Sequence, residues 1–138
     1  MSFVIDNSVV LAWCFEDEQT EAIMELLDRV VAEGAVAPQL WPLEALNGLL
    51  TAERRGRIDA DARRRMTASL RDLPIEIDVE TTNHVWTTTA RLAELHQLTA
   101  YDSAYLELAL RRDLPLASRD QALIIAARGS HVSLLPTT

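Results

Sequence analysis

A chain of 138 residues fits one domain, here taken as residues 1–138, large enough to bury roughly two-thirds of the surface its unfolded form exposes. With 49% apolar and 25% charged residues it has the composition of a folding chain, and no charged low-hydrophobicity run, Pro/Gly/Ser-rich linker or internal repeat divides it. The net charge of −8 argues against nucleic-acid binding through bulk positive charge, and the single cysteine, Cys14, rules out an internal disulfide, in keeping with a reducing compartment.

Short runs rich in β-formers alternate with longer segments of helical period, the pattern of an α/β domain with a mostly parallel sheet. In chain order, strands are expected near 2–6, 35–37, 75–80, 114–118 and 131–135, a five-stranded sheet. Helices are expected near 8–15, 17–33, 41–55, 59–72, 82–97, 100–112 and 120–128. The start carries no basic leader, and the apolar run from Val9 to Phe15 is too short to span a bilayer, so a soluble, cytoplasmic protein with no membrane contact is expected. Ile23, Leu26, Leu27, Val30 and Val31 recur at three and four residues as a core-facing helix requires, and Leu43, Leu46 and Leu50 form a second stripe with Leu49 beside it. Gly34, Gly56 and Gly129 stand where helices should stop, and Pro42 suits a first helical turn. Cys14 reads as an apolar helix residue, and Trp13, Trp41 and Trp86 as core or interface residues rather than base-stacking platforms.

Every one of the 13 cationic side chains is Arg; the chain has no lysine. Seven of them, at 54, 55, 57, 63, 64, 65 and 71, face four acids between Glu53 and Asp72, a local balance of 7 − 4 = +3. That segment reads either as a solvated face with pairs such as Asp61 and Arg65 or as a contact for RNA or a protein.

Four acids stand where strand gives way to helix or where a helix begins: Asp6, Glu44, Asp102 and Asp120. Each alone is explained by capping, since an acid in a first turn meets the positive end of the helix dipole; Thr99 with Asp102 fits a capping box, and Asp120 an N-cap. In an open parallel sheet, however, the pocket lies outside the carboxyl ends of the strands, which is where Asp6 and Asp120 fall. Glu44 opens a helix after the strand 35–37, whereas Asp102 follows a helix. Four carboxylates in one pocket repel one another until one protonates or a cation binds, and oxygen-only donors suit Mg²⁺, with Mn²⁺ as an alternative. Asn47, one helical turn after Glu44, is placed either to hydrogen-bond it or to face solvent. His84, His96 and His131 are too scattered for a zinc site, and no phosphate-binding glycine loop or nucleophile elbow occurs.

The segments Phe3-Val-Ile-Asp6-Asn-Ser8, Trp41-Pro-Leu-Glu44-Ala-Leu-Asn47, Tyr101-Asp102-Ser-Ala-Tyr105-Leu-Glu-Leu-Ala109 and Ser118-Arg-Asp120, in this order and spacing, resemble the PIN-domain ribonucleases, in particular the VapC-like toxins of toxin–antitoxin pairs. The resemblance spans essentially the whole chain. It implies a three-layer α/β/α sandwich, Mg²⁺- or Mn²⁺-dependent endoribonuclease activity, a homodimer, and inhibition by a cognate, VapB-like antitoxin. By position, Asp6 and Asp102 are the principal metal ligands, Glu44 completes the triad, Asp120 binds metal directly or through water, and Ser8 and Ser118 orient acids or waters. Hydrolysis by metal-activated water, in line, is expected to leave a 5′-phosphate and a 3′-hydroxyl. Two rivals with acidic Mg²⁺ pockets, a receiver domain and a haloacid-dehalogenase-type phosphatase, both need a lysine that this chain lacks. A catalytically silent PIN-like module binding RNA or protein is the remaining alternative, and metal titration separates it from an enzyme.

Overall fold

Phe3, Val4 and Ile5 are all fully buried, which only a strand covered on both faces can achieve. In the computed structural model, which describes residues 2–138, Val4–Ile5 forms β1 at the centre of a sheet completed by β2 (Ala35–Pro38), β3 (Ile75–Asp78) and β4 (Leu116–Ala117). The spatial order is β3-β2-β1-β4, with every pairing parallel. Side-chain alternation sends Phe3, Ile5, Ala35 and Ala37 to one core, with the helices α1 (Asn7–Cys14), α2 (Glu21–Glu33), α3 (Trp41–Arg54) and α4 (Ala60–Asp72). Val4 and Val36 point the other way, toward α5 (Ala90–His96), α6 (Ala100–Arg112) and α7 (Gln121–Gly129). The expected α/β/α sandwich is therefore present.

The sheet has four strands rather than the five expected. Residues 131–135 contribute only one parallel bridge, Leu134 to Leu116. His131 enters that segment in the left-handed conformation (φ 60°), and Pro136 follows it without an N–H to donate, so pairing starts late and stops early.

Two expected helices are broken. Residues 17–33 split into a 3₁₀ turn at Glu16–Glu18 and α2, because Thr20 takes an extended conformation and its hydroxyl accepts from Ile23 N at 3.1 Å, an N-cap. Residues 82–97 run as a 3₁₀ turn (Thr81–His84), a π turn (Val85–Thr89) and then α5. This stretch is rich in threonine, whose branched, hydrogen-bonding side chain disfavours a continuous α-helix. The π turn leaves the Thr89 carbonyl to accept from Ser103 Oγ at 2.7 Å, which fastens it to α6.

The stripe on α2 faces the core through Ile23, Leu26 and Val30, with Val31 exposed. On α3 the buried face is Trp41, Ala45, Leu49 and Ala52, while Leu43 is 74% exposed. Gly34 ends α2 at φ 81°, as expected of a glycine stop. Gly48 has a different use: a Cβ there would meet Leu11 Cδ1 at 2.6 Å, so its absence lets α3 lie close against α1. No helix among the described residues is long and apolar enough to cross a membrane.

Candidate active site

Asp6 leaves β1 at its carboxyl end and takes the N-cap position of α1, yet its side chain caps nothing. Its Oδ2 instead accepts from Ser8 Oγ at 2.6 Å and from Ser118 Oγ at 2.8 Å, the latter just beyond β4. The two serines continue outward: Ser8 Oγ accepts from Arg119 N at 2.9 Å and Ser118 Oγ from Asp120 N at 3.0 Å. The turns after β1 and β4 are thereby locked around one carboxylate. Asp6 is only 4% exposed, and burial pushes its pKa up against the lowering effect of the two serine hydroxyls.

Glu44 in the first turn of α3 has Oε1 held by the Tyr105 hydroxyl at 2.6 Å, and Asp102 in the first turn of α6 has its N–H capped by Thr99 Oγ1 at 3.1 Å. Asp120 does cap: its Oδ1 accepts from Leu123 N at 2.9 Å and starts α7. Capping thus accounts for Asp120 and leaves Asp6 unexplained.

All four acids share a field. Burial and then the charges of Asp120 and Asp6 raise Asp102 from its ordinary 3.8 to about 6. Glu44 is raised by burial, with Asp6 and Asp102 adding to the shift against the Tyr105 hydrogen bond. Among the described residues no three His, Cys, Asp or Glu side chains close tightly enough to chelate an ion as they stand. The donor chemistry nevertheless fits a hard divalent cation: oxygen donors alone, with two carboxylates whose charged forms the pocket disfavours until positive charge arrives. Asn47 is exposed and makes no hydrogen bond to Glu44, whose Oε1 is taken by Tyr105.

These shifts have a measurable consequence. With Asp6, Glu44 and Asp102 raised, the folded state holds more protons than the unfolded chain between about pH 4 and pH 6, so stability falls as pH rises through that window. In chelator, the thermal midpoint is expected to be higher at about pH 5 than at about pH 7. A midpoint that rises across this interval would contradict the arrangement.

Sequence reasoning missed Tyr105 as a partner of Glu44 and missed a second polar cluster. Arg111 on α6 donates to Glu107 Oε2 at 2.8 Å and to Asp78 Oδ2 at 2.6 Å, and Thr81 Oγ1 also donates to Asp78 Oδ2 at 2.9 Å. Glu107 interrupts the apolar run from Ala104 to Leu110 and stands one turn before Arg111, a signal that was available.

The fold is a parallel α/β/α sandwich with four acids at the carboxyl edge of its sheet, where open sheets of this kind bind their ligands. The chain belongs to the PIN domain family, whose sequence pattern it matches over residues 3–129. PIN domains are in general nucleases, which places the chain among hydrolases at that coarse level. Among solved structures it is similar to PAE2754 from Pyrobaculum aerophilum (22% identity, TM-score 0.70, 98% of this chain and 90% of that one). It is also similar to FitAcB from Neisseria gonorrhoeae (16% identity, TM-score 0.69, 99% and 98%) and to FitAB bound to an IR36 DNA fragment (16% identity, TM-score 0.60, 99% and 95%). At these identities the likeness speaks for the fold. No curated protein matches the chain significantly.

Proposed function

We propose that the chain, as a single domain, is a metal-dependent endoribonuclease and the toxin of a VapC-like toxin–antitoxin pair, cytoplasmic and homodimeric, with a VapB-like antitoxin as partner. The observation that carries the catalytic part is the shared field of Asp6, Glu44, Asp102 and Asp120, reached from four separate segments of the chain. The antitoxin and the homodimer rest on the resemblance to VapC-like toxins. Asp6, Asp102 and Asp120 would hold Mg²⁺ or Mn²⁺, and Ser8 and Ser118 fix the Asp6 carboxylate by two hydrogen bonds. Such an ion, when bound, polarises a phosphodiester and lowers the pKa of the attacking water. Glu44, with Oε1 occupied by Tyr105, has Oε2 free to take the proton of that water. In-line attack leaves a 5′-phosphate and a 3′-hydroxyl.

RNA contact fits the Arg-rich segment better than a fully paired face would. Arg57 is engaged by Asp17 and Glu18, Arg63 by Glu53, and Arg64 by Asp61 in place of the expected Arg65. Arg54, Arg55, Arg65 and Arg71 are exposed and make no hydrogen bond or ion pair among the described residues. Sequencing of RNA 5′-phosphate ends after induction tests the proposal. New ends are expected with the wild-type chain and not with Asp102→Asn; identical end profiles from the two would overturn it.

A further inference from the structure

Tyr105 is fully buried, so its hydroxyl requires partners within the protein. It donates to Glu44 Oε1 at 2.6 Å. The route of this contact is informative. Tyr105 packs in the core on the α6 side of the sheet, whereas α3, which carries Glu44, packs on the opposite face. The bond therefore crosses the carboxyl edge of the sheet and joins the two helical layers at the pocket. Tyr105 also lies one turn after Asp102 on α6, on the same helical face. One phenolic oxygen thus links the segments that bear Glu44 and Asp102. A core tyrosine satisfied for stability alone has no need of an acceptor in the other layer.

We propose that Tyr105 is a positioning residue of the active site, whose hydroxyl holds the Glu44 carboxylate in place beside Asp6 and Asp102 from beneath the pocket. With no exposed surface it does not touch substrate, and it acts through Glu44. The inference rests on the metal-dependent nuclease reading, with Glu44 completing the acidic set around the ion, so that its placement bears on Mn²⁺ affinity. Calorimetric titration of the purified chain with Mn²⁺ tests it on wild type, Tyr105→Phe, Glu44→Gln, the double variant and Asp6→Asn.

The Phe variant keeps the ring, so it is expected to stay folded while its Mn²⁺ affinity falls about tenfold, the scale for losing a hydrogen bond that orients a metal-site residue. Its kcat on RNA is expected to fall with KM little changed, and the Phe change is expected to add almost nothing in the Glu44→Gln background. Wild-type Mn²⁺ affinity in Tyr105→Phe would overturn the proposal. So would an equal loss in both backgrounds, or a Phe variant that unfolds outright, which would make the role structural. A wild-type chain without Mn²⁺ affinity would instead remove the metal reading and the inference with it, whereas loss in Asp6→Asn beside an unaffected Phe variant removes only the inference.

Discussion

Purified Asp6→Asn is expected to keep its fold and to lose divalent-dependent RNA cleavage by about a thousandfold or more, the scale seen when a group central to transition-state stabilisation is removed. The local geometry makes the outcome specific. Both serine hydroxyls converge on Oδ2, so an asparagine can direct its carbonyl oxygen to Ser8 and Ser118 and keep their hydrogen bonds. What then faces the pocket is an amide NH₂, a donor that cannot ligate a cation. Burial disfavours the charged carboxylate here, so the neutral amide also removes a strain on the metal-free fold. The thermal midpoint in chelator at about pH 7 should accordingly equal or exceed that of wild type. Full activity in a folded Asp6→Asn protein would sink the assignment, and a collapsed fold would show Asp6 to be structural.

Arg111→Met is expected to destabilise the domain by about 3–5 kcal/mol, among the largest effects of any substitution remote from the pocket. The guanidinium sits between Asp78 and Glu107, whose side chains are 5% and 2% exposed. Burial alone pushes Asp78 up, but its hydrogen bonds to Arg111 and Thr81 hold it below the usual carboxylate range. Without Arg111, two acids share an apolar interior with Thr81 as the remaining side-chain donor among the described residues. Thermal denaturation should register a fall on the order of 10 °C or more. Adding Asp78→Asn and Glu107→Gln should restore much of it, because removal of the whole charged set spares what removal of one member strands. A shift of only a degree or two would show that the buried carboxylates find protons or water instead.

What was legible in the sequence followed from local chemistry. Thr99 and Asp120 act as the caps that their neighbours suggested, and the alternation of short strands and long helices led to the right layers. The errors arose where a neighbour in space outranked a neighbour in sequence. On α3 the leucines at 43, 46 and 50 outweighed the small residues Ala45 and Ala52 by hydropathy, but the sheet and α1 accept the alanine side, where helices pack closely. The segment 131–135 has strand composition, yet backbone limits at His131 and Pro136 confine it to a bridge. Asn47 stands on the helical face of Glu44, but the acid's oxygen goes to Tyr105, 61 positions away, a partner that spacing along one helix cannot reveal.

The hydrogen bond from Ser118 to Asp6 joins positions 112 residues apart, and β1 meets β4 through the same long separation. Most of the polypeptide must therefore leave the ribosome before the pocket can close. Until β4 docks, Asp6 lacks one of its two serine donors and Asp120 is not yet beside it, so a nascent chain presents scattered acids rather than a cutting centre. For a protein proposed to cleave RNA, this order of assembly keeps the translating ribosome out of reach of its own product until synthesis has passed position 120.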